Sequence, residues 1–368
     1  MRVTIERAAL LKALNHVQSV VERRNTIPIL SNVLIKAEGD GVRLSATDLD
    51  IEVVETSPAE VGQAGATTAP AHMLYDIVRK LPDGAQLEIS QGPDENRISI
   101  FAGRSRFSLA ALPPEDFPDL AAGAMSHEFS LAAEELKALI DKTRFAISTE
   151  ETRYYLNGIY LHAVDDMLRA VATDGHRLAQ VQLPLPEGAS GMPGAIVPRK
   201  TVLELAKLAE DSEGTVEIAM SEAKIRFSVG PVVLTSKLID GTFPDYERVI
   251  PKDNDKRLEV DTKLFAQAVD RVSTISSDKG RAVKLNLETD RIILTVNNPD
   301  SGSAEEELAA TYASDPIEVG FNSRYLLDIA SQFNGDSAHF ELADAGSPTV
   351  VRDAGDETAL FVLMPMRV

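Results

Sequence analysis

FSLAAEELKALIDKTRF, residues Phe129 to Phe145, decides the fold, because the chain writes this pattern three times. The first copy is VTIERAALLKALNHV from Val3, and the third is LEVDTKLFAQAVDRV from Leu258. The correspondence runs position by position. Val3 matches Phe129 and Leu258, Ile5 matches Leu131 and Val260, and Leu10 matches Leu136 and Phe265. Ala13, Leu139 and Ala268 follow, then Leu14, Ile140 and Val269. In each copy the apolar residues first alternate and then recur at spacings of three and four, which predicts a short strand running into an amphipathic helix.

A second helix repeats at nearly the same interval. Ala-Pro-Ala at 69–71 opens MLYDIV, Val-Pro-Arg at 197–199 opens TVLELA, and Phe-Asn-Ser at 321–323 opens YLLDIA. Pro70 and Pro198 are expected in the first turn, where a missing N–H costs nothing. Asn322 takes the same place as a capping residue. Leu74, Val202 and Leu326 align, as do Asp76, Glu204 and Asp328, and Ile77, Leu205 and Ile329. The chain therefore reads as three copies of one domain, with boundaries expected at 1–125, 126–254 and 255–368. An identical Phe-Pro-Asp closes the first two copies, at 117–119 and 243–245. Each copy has two helices and many short alternating strands, an α+β arrangement with the helices on one face of antiparallel sheet.

The 368 residues are enough for three such cores, and 44% hydrophobic with 26% charged residues is ordinary for a globular chain. Cysteine is absent, so no disulfide framework or thiolate site can form. MRVTIERAALL has no apolar leader pattern, no uncharged run reaches membrane-spanning length, and there is no Asn-x-Ser/Thr sequon. The expectation is a soluble, cytoplasmic protein without a membrane role. A net charge of −20 by itself argues against a nucleic-acid partner. Yet the six helical segments carry more lysine and arginine than aspartate and glutamate, so the remainder is more acidic than the whole.

Motifs for chemistry are scarce. There is no G-x-S-x-G, H-E-x-x-H, Walker A or G-x-G-x-x-G pattern, and the six histidines lack metal-ligand spacing. Ala172-Thr-Asp-Gly-His-Arg-Leu-Ala179 admits two readings: Asp174 and His176 as an acid–base pair, or Asp174-Gly175 as a tight hairpin turn. The final FVLMPMRV places Leu363, Met364, Met366 and Val368 beside a proline. That composition suits an adaptable apolar surface, while alternation makes Phe361 and Leu363 a last core strand. In Arg104-Ser-Arg-Phe-Ser-Leu109, Arg104 and Arg106 face one side of a strand and Phe107 and Leu109 the other. Glu305-Glu306-Glu307 offers the opposite charge.

Together RYYLNG at 153–158, ATDGHRLA at 172–179, VPRK at 197–200, TSKL at 235–238, FPDY at 243–246 and MPMR at 364–367 resemble the bacterial DNA polymerase III sliding clamp, its beta subunit. The resemblance covers the whole chain. It implies three pseudo-equivalent clamp domains forming half of a six-domain closed ring, a homodimer around double-stranded DNA. It implies no catalytic residue, no cofactor and no metal. Contacts to DNA would be made by Arg24, Arg79, Tyr154, Tyr155, Arg199 and Lys200, to phosphates and hence blind to sequence.

The resemblance also implies a peptide-binding cleft. From the second copy it would take Leu156, Thr173, Gly175, His176, Arg177 and Leu178, then Pro244, Arg248 and Val249. From the third it would take Asn322, Tyr325, Val362, Met364, Pro365 and Met366. Partners reached through short peptide motifs would be the replicative polymerase catalytic subunit, the clamp loader, other DNA polymerases and repair proteins. The dimer contact would set Arg104, Arg106, Phe107 and Leu109 of one protomer against Ile275, Glu305 and Glu306 of its partner. Glu150, Gly346 and Pro348 depart from the family pattern. Two other readings compete: a hydrolase built on Asp174 and His176, and a monomeric acidic repeat scaffold.

Overall fold

The structure is a computed structural model that describes residues 1–92, 96–120, 123–210, 212–276 and 281–367. The thrice-written pattern folds thrice in the same way. Strand Arg2–Glu6 runs into helix α1 (Arg7–Val17), and helix α2 is Ala71–Lys80. His127–Ala132 runs into α3 (Ala133–Arg144), with α4 at Arg199–Glu210. Lys256–Asp261 runs into α5 (Thr262–Ser273), with α6 at Ser323–Ala330. Each repeat sets its helices on antiparallel sheet.

All fifteen apolar positions aligned between the three first helices and their strands are buried, from Val3 and Leu10 at 0% to Phe129 and Leu136 at 5% exposure. The helix starts repeat as well. The first N–H of each of these helices lacks an intrahelical partner and donates to a carbonyl just before a neighbouring strand: Arg7 to Ala85, Ala133 to Gly214 and Thr262 to Asp336, at 2.7–2.8 Å. Helix α5 adds a side-chain cap, Asp261 accepting from the Leu264 N–H.

The prolines sit one residue earlier than expected. Pro70 and Pro198 end the strands Gly65–Pro70 and Ala195–Pro198, each the outermost strand of its sheet. An edge strand has no ladder on one side, so a residue without an N–H fits there. Asn322 caps α6 as expected, its side chain accepting from the Arg324 N–H at 3.0 Å.

Contacts group the chain into two compact units, each with its own sheets. The first comprises Met1–Leu136, Pro186–Met192 and Lys200–Leu238. It holds a five-stranded sheet ending in Ser105–Ala110 and an eight-stranded sheet. In the eight-stranded sheet Val232–Lys237 pairs with Ile51–Pro58, Leu234 opposite Val53, so strands of the first and second repeats share one ladder. The second unit comprises Lys137–Leu185, Pro193–Arg199 and Ile239–Val368. There Arg177–Pro184 pairs with Ala359–Leu363, Ala179 opposite Phe361, and strands of the second and third repeats again form one eight-stranded sheet. A separate four-stranded sheet ends in Gly302–Ala309. Among the described residues no helix is long and apolar enough to cross a membrane.

Candidate functional site

The stretch with two readings folds as a turn. Thr173 Oγ1 accepts from the Gly175 N–H at 3.1 Å and donates to the Arg177 carbonyl at 2.7 Å. Asp174 Oδ1 accepts from the His176 and Arg177 N–H groups at 2.9 and 3.0 Å, and Oδ2 accepts from Arg177 Nε at 3.1 Å. Both carboxylate oxygens of Asp174 thus brace the backbone and Arg177. Gly175 has φ +89°, where a side chain is strained, and a Cβ there would stand 2.6 Å from the Arg153 guanidinium. The first repeat makes the same turn at Thr47-Asp48-Leu49, with Asp48 Oδ1 accepting from the Asp50 and Ile51 N–H groups and Leu49 at φ +80°.

The turn forms one wall of a concave cleft of about 320 Å³ in the second unit. Its floor belongs to an apolar cluster in which Leu156, Leu178 and Val362 are at most 4% exposed, with Tyr246 at 5%. Val249 and Met364 stand at its rim, 48% and 40% exposed, large apolar groups left to water. Leu156, Thr173, Gly175, Arg177, Leu178, Pro244, Val249, Val362 and Met364 of the expected set line this cleft. His176, Arg248, Asn322, Tyr325, Pro365 and Met366 lie outside the lining. His176 still takes part through its carbonyl, which accepts from the Met364 N–H at 2.9 Å, and Met366 is pinned by its own N–H to the Gly320 carbonyl. Phe361 and Leu363 form the last core strand, both 1% exposed. Val368 lies outside the described residues.

Arg177 organises the site. Its side chain is 9% exposed, pairs with Asp174 and with Asp328 of α6 at 2.5 Å, and donates to the Phe145 carbonyl at 2.5 Å. Its guanidinium lies over the Tyr325 ring at 4.2 Å and over Phe145 at 5.1 Å. Tyr325 thus meets the cleft-lining Arg177 with its ring.

Sequence reasoning missed Arg153, Asp245 and Tyr246, which also line the cleft. All three lie within motifs already quoted, RYYLNG and FPDY, but nothing local shows that the two segments meet. Tyr155, expected at DNA, lines the cleft here and packs on its apolar cluster, whereas Tyr154 is 53% exposed. Glu150 does not stand free beside them. Its hydrogen bonds to Arg153, at 2.7 and 2.8 Å, hold its carboxyl below the usual range. Gly346 and Pro348 lie outside the lining, in a turn where Asp344 accepts from the Gly346 N–H.

Of the other residues expected at DNA, Arg24, Arg79 and Arg199 are exposed, and Arg79 pairs with Asp76 at 2.9 Å. Lys200 is held instead. Its ammonium pairs with Glu22 at 2.5 Å and Asp48 at 2.6 Å and donates to the Val20 carbonyl. Burial works against its charge, but the bonds to Asp48 and Glu22 outweigh it and raise the pKa.

Of the residues expected at the dimer contact, Arg106, Phe107, Leu109, Glu305 and Glu306 fall on outermost strands, whereas Arg104 lies in the turn before the first of them, not on the strand as expected. Among the described residues Ser105–Ala110 pairs only with Arg97–Ala102, and Gly302–Ala309 only with Arg291–Asn298. Arg104 and Arg106 are exposed, Phe107 half-buried and Leu109 buried. Glu305 and Glu307 are exposed, while Glu306 lies half-buried and is bound by Arg271 at 2.5 and 3.0 Å. Ile275 is half-buried beyond the end of α5. Among the described residues no cluster of His, Asp or Glu could hold a metal ion.

Three family models cover nearly all of the chain. Those of the N-terminal, central and C-terminal domains of the DNA polymerase III beta subunit match residues 1–121, 130–245 and 247–367. A beta sliding clamp of Caulobacter vibrioides is 57% identical over 372 residues, covering 100% of both chains. A crystal structure of a sliding clamp (DNA polymerase III subunit beta) from Bartonella birtlesii, bound to griselimycin, is 58% identical with a TM-score of 0.97 and full coverage of both chains. That of the Caulobacter crescentus beta sliding clamp, with PEG bound to its putative beta-motif tethering region, is 57% identical with a TM-score of 0.98. It covers 100% of this chain and 99% of that one.

Proposed function

Because the chain belongs to the DNA polymerase III beta-subunit family, the bacterial sliding clamps, we propose that two copies close head to tail into a six-domain ring around duplex DNA. The three repeats, taken as 1–125, 126–254 and 255–368, supply half of the ring. One observation carries this reading. Among the described residues the outermost strands Ser105–Ala110 and Gly302–Ala309 are unpaired on one side and carry opposite charge, Arg106 on the first, with Arg104 in the turn before it, and Glu305 and Glu307 on the second. Unpaired edges are liabilities unless something completes them, and a head-to-tail pairing that rotates back on itself closes a ring rather than a fibre.

Such a ring is a non-catalytic processivity factor. The helical segments, richer in base than the rest of the chain, would face the phosphates through Arg24, Arg79, Tyr154 and Arg199. With a screening length of about 8 Å at physiological salt, their pull and the repulsion of the acidic remainder act only locally. Lys200 would join once DNA competes with Glu22 and Asp48 for its ammonium. The 320 Å³ cleft would take a short peptide from the polymerase, the clamp loader or a repair protein, seated on Leu156, Leu178 and Val362. The setting is the bacterial cytoplasm. Sedimentation tests closure: the chain should run at twice 39.8 kDa, and a monomer persisting at micromolar concentration would contradict the reading.

A further inference from the structure

Behind one wall of the cleft the sheet gathers polar and aromatic groups that neither DNA contact nor peptide seating uses. That wall is 244–249, an exposed stretch containing the short turn Tyr246–Val249. The Tyr246 ring is buried in the cleft floor, and its hydroxyl lies 2.9 Å from His162 Nε2. Arg169 stands directly opposite His162 on the adjoining strand. Its Nη1 donates to Glu247 at 2.7 Å and reaches the Tyr246 hydroxyl at 3.4 Å. Among the described residues these are the hydrogen bonds that tie the wall's side chains to the sheet.

The imidazole is itself held in place. Tyr160 stacks on it with centroids 4.6 Å apart at 19°, and on Phe243 at 4.8 Å and 9°. Gly194 permits that column, since a Cβ there would stand 2.3 Å from the Tyr160 hydroxyl. An oriented histidine that meets a cleft-lining tyrosine across 84 residues of sequence fixes where that tyrosine stands.

We propose that His162 and Arg169 are positioning residues for the partner peptide, holding the Tyr246 hydroxyl and through it the wall 244–249. The inference rests on the cleft being the peptide site. Neutral His162 accepts from the Tyr246 O–H while the same oxygen accepts from Arg169. Protonated, both ring nitrogens are donors, and the oxygen must take two cationic donors at once. Burial and Arg169 push the His162 pKa down against the pull of Glu247. The phenols of Tyr160 and Tyr246 also face it, and Asp165 stands 3.8 Å from Arg169. The sign follows. A histidine whose pKa is lowered in the braced form supports that form fully above the ordinary value of about 6.5, and the support is lost as pH falls below it.

The test is fluorescence anisotropy of a fluorescein-labelled peptide carrying the clamp-binding segment of the polymerase catalytic subunit, titrated with the full chain between about pH 5 and about pH 8. Wild-type affinity should fall about tenfold across the acid step, one hydrogen bond's worth. His162→Gln keeps a polar partner that does not titrate, so its affinity should no longer show the acid step, whatever its value near neutrality. Tyr246→Phe keeps the buried ring and should also lose the step, with a melting temperature near wild type showing that it folds. A merely structural role would lower affinity equally at every pH and leave the profile's shape intact, which would overturn the inference. Wild-type binding with superimposable wild-type, His162→Gln and Tyr246→Phe profiles would do the same. No binding by wild type at any pH would overturn the cleft reading and the inference with it.

Discussion

Replacing Arg177 by alanine should destabilise the second unit by about 3 kcal/mol, the low end of the range for breaking a buried ion pair. The low end applies because Asp328 is 30% exposed and water takes up part of its lost partner. Asp174 is 17% exposed; its Oδ1 would still brace the turn, but its Oδ2 would lose the Arg177 Nε donor. The Phe145 carbonyl would lose its donor and Tyr325 the guanidinium stacked on it. Urea unfolding followed by circular dichroism reads the loss as a lower midpoint at unchanged slope. Arg177→Lys keeps the charge but cannot satisfy two carboxylates and a carbonyl in one plane, so it should recover less than half of the loss. A loss within about 0.5 kcal/mol, the usual range for a surface substitution, would show that the cluster is not coupled as its geometry implies.

Reversing the charge of one sheet edge should separate the proposed dimer. In the head-to-tail arrangement Arg104→Glu with Arg106→Glu would face Glu305 and Glu307, and like-charge juxtaposition across an interface costs several kcal/mol. At about 4 kcal/mol the dissociation constant rises about a thousandfold, enough to turn a dimer into a monomer in analytical ultracentrifugation. Adding Glu305→Arg and Glu307→Arg should restore association by exchanging the signs. Glu306 is left alone because it is half-buried and held by Arg271, whose hydrogen bond lowers its pKa, whereas Glu307 is exposed although it also pairs with Arg291 at 3.1 Å. A quadruple variant that stays monomeric, or a double variant that stays dimeric, would separate edge charge from association.

The legibility of the fold in the sequence was uneven for physical reasons. Val3, Phe129 and Leu258 could be aligned because strand and helix periods are local properties, and burial follows them in all three repeats. Ile77 is only half-buried where Leu205 and Ile329 are buried, since α2 turns Val78 inward instead. The sharing of one ladder by two repeats was not legible, because Leu234 opposite Val53 and Ala179 opposite Phe361 join strands far apart in sequence. The same limit hid the brace of the cleft. His162 read as one of six scattered histidines, and its partner Tyr246 lies 84 residues away. Asp174-Gly175 was legible as a turn pair, but nothing in the motif shows Arg177 reaching Asp328 or Lys200 reaching Asp48.

The central claim is that the chain holds DNA by encircling it, and one measurement reaches it directly. The protein is loaded onto nicked circular DNA, unbound protein is removed, and retention is followed before and after a single cut makes the circles linear. The account expects the protein to stay on circles at a salt concentration that abolishes simple phosphate contacts, and to be lost on cutting as it slides off the ends. Equal loss from circles and linear molecules would contradict it.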